Sequence, residues 1–308
     1  MKVVNEKDKT LLDEIDTSTF KENEAVNVRK NGKAVTRKIN DYIDIKTKED
    51  GKGIDIYVKE NTLLGIVHIP VIITESGLKD VVYNDFHIGK NSNVVILAGC
   101  GIHNDKHKDS RHDGIHRFFI EENANVKYTE KHYAQGAGDG RKILNPYTEI
   151  NLGKNASMTM DSVQIKGVTS TIRQTKATIE EGATLVIKEK ILTSNDQSAK
   201  TSFIVDLKGD GASCEVTSRS VATDNSYQEF KSNVTGDKNC YAHVSCDAII
   251  KDDAKVKAVP EIYAKNASAN LIHEAYIGKI QGEQLMKLMS LGLSEKQAEE
   301  EIIKGFLK

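Results

Sequence analysis

Two groups of side chains in this 308-residue sequence have the composition of a metal or sulfur site. The first is Cys100, His103, His107, His112 and His116, five ligand-type residues in 17 positions with the spacing C-x2-H-x3-H-x4-H-x3-H. This is not a zinc-finger pattern, yet three or four of these groups could surround one divalent ion. The competing reading is a solvated Gly-, Asp- and Lys-rich loop whose imidazoles only titrate near neutrality. The second group is Cys246 with the adjacent pair His273 and Glu274, which sits where alternating strand sequence gives way to helical sequence. A thiolate is a nucleophile and a metal ligand, and with imidazole it suits iron–sulfur chemistry. Against that, a single cysteine in β-rich sequence is more often a small apolar residue.

Composition narrows the classes of function. Lys and Arg (43) are matched by Asp and Glu (45) and interspersed with them, so no polyanion-binding face, and no nucleic-acid partner, is expected. No stretch approaches the length of a membrane span, and the start MKVVNEKDKTLLDEID has no signal-type apolar core, so a cytoplasmic protein is expected. Four cysteines without C-x2-C spacing read as reduced thiols rather than a disulfide framework. Gly136-Ala137-Gly138-Asp139-Gly140 lacks the helix and the GKS or GKT of a phosphate loop and reads as a turn. With no Walker motif, any dependence on ATP requires a partner.

The elements that must position these groups come from a repeat. An apolar residue, three or four polar ones, a small residue and then x-apolar-x-apolar recurs in IGKNSNVVI, IEENANVKY, LGKNASMTM, IEEGATLVI, LKGDGASCEV, VTGDKNCYAH, IKDDAKVKA and YAKNASANL. The small residue falls at positions 92, 124, 156, 183, 212, 239, 254 and 267. Steps near 27 to 32, with half-steps near 14 at the end, describe two strand-bearing sides per coil. The expected fold is mainly β: a right-handed parallel β-helix over 25–275. Asn91, Asn155, Gly182 and Asn266 are the turn residues expected to accept positive φ. Parity along the strands points Cys100 and Cys214 inward and Cys240 outward. Counting seven residues from the mark puts Arg219, Cys246 and Glu274 on successive coils, one strand spacing of roughly 4.8 Å apart, with His273 beside them.

Residues 1–24 read as a helical segment, with one exposed helix over 5–16. Asn-Gly and Asp-Gly turns make 25–60 a small antiparallel hairpin element that could cover the first coil. At the other end the strand pattern stops at Ala275, leaving a coil that either pairs with a second subunit or is capped by the helical sequence of 276–308. Two short amphipathic helices are expected there: Ile280, Leu285, Leu288 and Met289 line the first, Gly292 stops it, and Ser294 with Gln297 forms a capping box for the second.

The run H-E-A-x-I-G-K-I-x-x-E-Q-L, then L-x-S-x-G-L-S-E-x-x-A and a closing K-G-F, resembles the carboxy-terminal signature of the SufB/SufD family, with weaker similarity back to about Gly77. The resemblance implies a scaffold for iron–sulfur cluster assembly, not an enzyme, that works with a SufC-type ABC ATPase docked on residues 276–308. It also implies sulfur supplied by a cysteine desulfurase system and a homodimer, or a SufB–SufD-type heterodimer, through the open end. On this reading a transient cluster is assembled at Cys246, His273 and Glu274, Cys246 matches a B-type cysteine, and Cys100 resembles one that accepts sulfur. The cysteine motif of longer members is missing, so no flavin is expected. Two rivals remain: a β-helical metal-dependent enzyme using the His103–His116 loop, and a D-type adaptor without its own cluster site. Glu149, Asp161 and Asp206 do not share a register and form no hydrolase pair.

Overall fold

The computed structural model describes residues 6–308 apart from Ser18. The expected helix over 5–16 appears as α1 (Glu6–Ile15), and residues 1–5 lie outside the described residues. The first strands are β1 (Ala25–Lys30), β2 (Lys33–Lys38), β3 (Ile43–Thr47), β4 (Gly53–Val58), β5 (Gly65–Ile73), β6 (Lys79–Ile88) and β7 (Asn93–His103). Next come β8 (Ser110–Ile120), β9 (Asn125–Gln135), β10 (Lys142–Leu144), β11 (Tyr147–Leu152), β12 (Ser157–Lys166), β13 (Ser170–Ile179) and β14 (Thr184–Thr193). The last six are β15 (Ser198–Leu207), β16 (Ser213–Ala222), β17 (Tyr227–Gly236), β18 (Tyr241–Ile250), β19 (Lys255–Ala264) and β20 (Asn270–Gly278). Helices α2 (Gly282–Ser290) and α3 (Glu295–Phe306) close the chain.

From β4 onward successive strands alternate between two ten-stranded sheets, except that β10 and β11 lie in the same one, giving a β-solenoid of about eight turns with 57% of residues in strands. Inward residues of both sheets make one apolar core, including Val126, Met158, Leu185, Cys214, Phe203 and Val244. Turn chemistry sets the pitch: Asn91, Asn155 and Gly182 have φ of 56°, 56° and 66°, as a left-handed turn position requires. Asn266 does not adopt positive φ; its side chain instead accepts a hydrogen bond from the Ser268 amide at 2.9 Å, because the last turn is organised differently.

The hairpins do not form a separate element. Strand β1 pairs antiparallel with β2 but parallel with β5, and β4 pairs antiparallel with β3 but parallel with β6, so both hairpins extend the solenoid's own sheets. Nor is α1 exposed along its apolar face. Leu11, Leu12 and Ile15 are fully buried on the outside of β7, where Gly99 and Gly101 make room. A Cβ on Gly99 would lie 2.8 Å from Ile15 Cβ, so only glycine admits the helix there. The His68 imidazole, 2.9 Å from Asp16 and 3.4 Å from Glu24, pins the chain leaving the helix.

The other end is open. Strands β19 and β20 are the last of their sheets and expose most of their residues, including Tyr263 and Tyr276. Helix α3 has the expected capping box and folds back on the solenoid: Lys251 pairs with Glu299 at 2.5 Å, and Lys190 and Arg219 donate to the terminal carbonyls of Lys308 and Phe306. Cations at a helix carboxy terminus complement its dipole. Helix α2 touches α3 but buries no residue fully, and Met286, Met289 and Leu291 face outward. No helix among the described residues is long and apolar enough to cross a membrane.

Candidate functional site

The open end gathers two of its three expected residues. Cys246 on β18 points inward and is 2% exposed; it lies beside Ser218 on β16 and Ala275 on β20. His273 lies beside Val244, also inward, and neither ring nitrogen has a hydrogen-bond partner. Glu274 pairs in register with Ser245 on the outer face, where its carboxylate is 3.4 Å from His243 Nε2. Arg219 aligns with Asp247, also outside, and serves α3. The expected stack of Arg219, Cys246 and Glu274 is therefore corrected. The turn positions equivalent to Ala212 are Cys240 and Ala269, not 239 and 267, because Ser213, Tyr241 and Asn270 align. The slip of one and then two residues inverts side-chain parity once. For the same reason Cys240 is buried at the turn position rather than outward.

Burial, with Glu189 and Asp247 nearby, pushes the Cys246 thiol up to about 12, and burial with Glu215 nearby does the same to Cys214, also about 12. Burial and His243 lower His273, leaving a neutral imidazole with one free lone pair and one N–H that finds no acceptor. Both thiols should thus be nearly inert in the metal-free chain. At pH 8 we expect iodoacetamide to modify them at least about a thousandfold more slowly than an ordinary cysteine with pKa ~8.5. Mass spectrometry of native and unfolded samples checks this, and equal rates would contradict the burial.

Counting six rather than seven residues from the turn position exposes a feature that sequence reasoning missed. Ala98, Glu130, Ser162, Glu189, Ser218, Cys246 and Ala275 occupy one inward file across neighbouring strands. Arg173, from the opposite sheet and 2% exposed, donates to Glu130 at 2.5 Å, and its Nε lies 3.7 Å from Glu189. Ser218 donates to Glu189 at 2.8 Å. Burial alone would raise Glu130, but Arg173 and His132 overcome it and hold the carboxyl well below the usual range. At Glu189 burial wins and the carboxyl is raised. The signal was available: charged residues on inward-parity positions are costly unless paired.

The same file begins beside Cys100. Cys100 points inward from β7, as its parity implied, and shares a cavity of about 20 Å³ with His112, Gly114, His116, Glu130 and His132. Burial, then Asp80 and Glu130, raise its thiol well above the ordinary value. The four histidines of the supposed loop do not converge, because most of that stretch is strand and only 104–109 turns. His103 and His107 lie at the turn, each 2.6 Å from a carboxylate, Asp105 and Asp139 respectively. His112 and His116 are inside, on the inner face of β8.

The chain is a parallel β-solenoid with an internal polar file, four free thiols and an open end. Comparison with known proteins gives its family. Residues 73–306 match the family model for the SUF system FeS cluster assembly SufBD core domain. A Pyrococcus horikoshii protein is 31% identical over 267 residues, covering 84% of this chain and 78% of the relative. One from Methanocaldococcus jannaschii is 27% identical over 266 residues, covering 84% and 82%. A second P. horikoshii protein is 30% identical over 263 residues, but this chain spans only 57% of it. All three are named iron-sulfur cluster assembly SufBD family proteins. The chain belongs to the SufB/SufD family.

Proposed function

We propose that this chain is a B-type scaffold on which iron and sulfide are assembled into a cluster at the open end, with Cys246 and His273 as its ligands. The observation that carries the reading is the unpartnered His273 imidazole on the same inward face as the Cys246 thiol, on the neighbouring strand and two positions from its partner Ala275, at the open end where β19 and β20 are the last strands. A neutral imidazole buried without a partner costs free energy unless something completes it. Glu274, exposed on the rim, is placed to serve a site shared with a second subunit rather than one inside this chain.

Unpaired strand edges with apolar side chains favour pairing with another chain. A second copy, or a SufD-type relative, joined through β19 and β20 would enclose the site. Cys100 is the sulfur-receiving thiol on this reading, with persulfide sulfur supplied by a cysteine desulfurase system. The two thiols are five strand spacings apart, roughly 24 Å at 4.8 Å each, too far for direct thiol–persulfide exchange. The polar file between them is the path for a small sulfur species. Reducing each persulfide sulfur to sulfide takes two electrons, supplied by a partner reductant.

Helix α2 presents Met286, Met289 and Leu291 outward while α3 anchors it, which suits docking of a SufC-type ABC ATPase over 276–308. Replacing Met286 and Leu291 together with Lys should abolish co-purification with that ATPase and leave the unfolding midpoint unchanged. The function itself is tested by anaerobic loading with iron and sulfide, with the ATPase present: cluster absorption on a stable complex is expected, and a chain that forms neither cluster nor complex sinks the reading.

A further inference from the structure

We propose that the space between the two amino-terminal hairpins binds a small organic anion, one that combines an acid group, an apolar body and a hydrogen-bond donor. Strands β1 to β6 line a cavity there of about 290 Å³, near the lower bound of small-molecule sites. Gly32 and Gly51, from the two hairpin turns, line it as well. Among the described residues no carboxylate does. Of the three cations on its wall, Arg29 is answered by Asp80 at 3.1 Å, whereas Lys33 and Arg37 make no ion pair among the described residues.

Arg37 is nonetheless held in place. Its Nε donates to Asn27 Oδ1 at 3.0 Å and its Nη1 to Thr47 Oγ1 at 2.7 Å. Two neutral acceptors on different hairpins thus fix the guanidinium and leave its charge unbalanced, a state suited to a carboxylate or phosphate oxygen.

Asn84 supplies an independent observation. It is 4% exposed, lines the same cavity, and its Oδ1 has no partner. The orientation of its amide is set by the groups behind it. The Tyr128 hydroxyl donates to Glu130 at 3.0 Å, so His116 Nδ1 donates to the Tyr128 oxygen at 2.8 Å, and His116 Nε2 is left to accept from Asn84 Nδ2 at 3.3 Å. Burial lowers His116 to about 4 and so keeps that ring neutral. Asn84 Oδ1 therefore remains an enclosed acceptor that needs a donor.

Ile54, Ile69, Val71 and Val82, all buried, give the cavity its apolar wall. An inorganic oxyanion would answer the two cations but leave this wall and Asn84 unused, which is why the ligand is organic. Charges on an edge strand such as β2 ordinarily serve only to deter pairing. That suffices for Lys38, whose ammonium donates to the Lys21 carbonyl at 2.8 Å, but not for a buried amide oxygen left open in the same cavity. The site lies one strand from Cys100, with which Val71 pairs, and does not depend on cluster assembly at Cys246.

Ligand-observed NMR titration of the full chain with para-hydroxyphenylacetate, which has a carboxylate, an apolar ring and a phenol donor, tests the inference. Binding with a Kd at or below about 1 mM is expected. Arg37→Gln should weaken it at least about tenfold with an unchanged unfolding midpoint, because a charge-assisted contact is lost. Lys38→Gln removes a charge from the same strand outside the cavity and should leave the affinity within about twofold. Phenylacetate, which lacks the donor, should bind the wild type at least about threefold more weakly. No binding of the first probe, equal sensitivity to Arg37→Gln and Lys38→Gln, or equal affinity for the two probes overturns the assignment.

Discussion

Arg173→Met should lower the unfolding free energy by about 3–5 kcal/mol, the penalty of leaving a buried charge without its partner. Glu130 is the residue left behind: 3% exposed, with Arg173 as its main counter-ion. The loss should depend on pH. In the wild type Glu130 titrates below its ordinary 4.5, so its contribution is present above that pH and fades as the pH falls through the depressed native value. Without Arg173, burial dominates and raises the native pKa, so acid relieves the variant by protonating Glu130. The gap between the two proteins should therefore be widest above the variant's raised value and shrink as the pH falls, first between that value and the ordinary 4.5 and then through the depressed wild-type value. Adding Glu130→Gln to Arg173→Met should recover most of the loss. Urea denaturation of the three proteins across pH checks this, and a pH-independent gap would show that packing, not charge, is what Arg173 contributes.

His273→Leu is expected to separate stability from function. Both imidazole nitrogens are enclosed without partners, a cost of about 1–3 kcal/mol each. An isosteric apolar side chain removes that cost, so the variant should be as stable as the wild type or more so. Iron retained after anaerobic loading should nonetheless fall at least about 10–100-fold, the loss that even changes behind a ligand can produce. Lower stability with unchanged iron would make His273 a structural residue.

Much of the fold was legible because the solenoid repeats its own constraints. The small residue at 92, 124, 156, 183 and 212 keeps one phase, and the strands after it pair in that register. Asn91, Asn155 and Gly182 betray the turns because few other residues accept positive φ. The phase was lost at Asn239 and Ala267, where Cys240 and Ala269 hold the position instead. One small residue reads much like its neighbour in sequence, and only pairing distinguishes them. Those slips, of one and then two residues, broke the expected stack: Cys246 sits one position and Glu274 two positions out of line with Arg219.

The remaining misreadings involve contacts between distant parts of the chain. The groove that buries α1 is made by Gly99 and Gly101, some ninety residues from the helix, and no local pattern announces it. Likewise the histidines of 103–116 look like one loop cluster by spacing. Strand parity divides them, because His112 and His116 continue the inward alternation of β8 while His103 and His107 border its turn.

The central claim is that the inward thiol at the open end holds the nascent cluster. Anaerobic reconstitution with iron and sulfide, in the presence of the ABC-type ATPase, tests it most directly when Cys246→Ala is compared with Cys214→Ala by visible absorption and iron content. Cys214 is equally buried but lies off the polar file, so the account predicts a cluster spectrum in that variant and none in Cys246→Ala. Equal spectra in both would contradict assembly at Cys246.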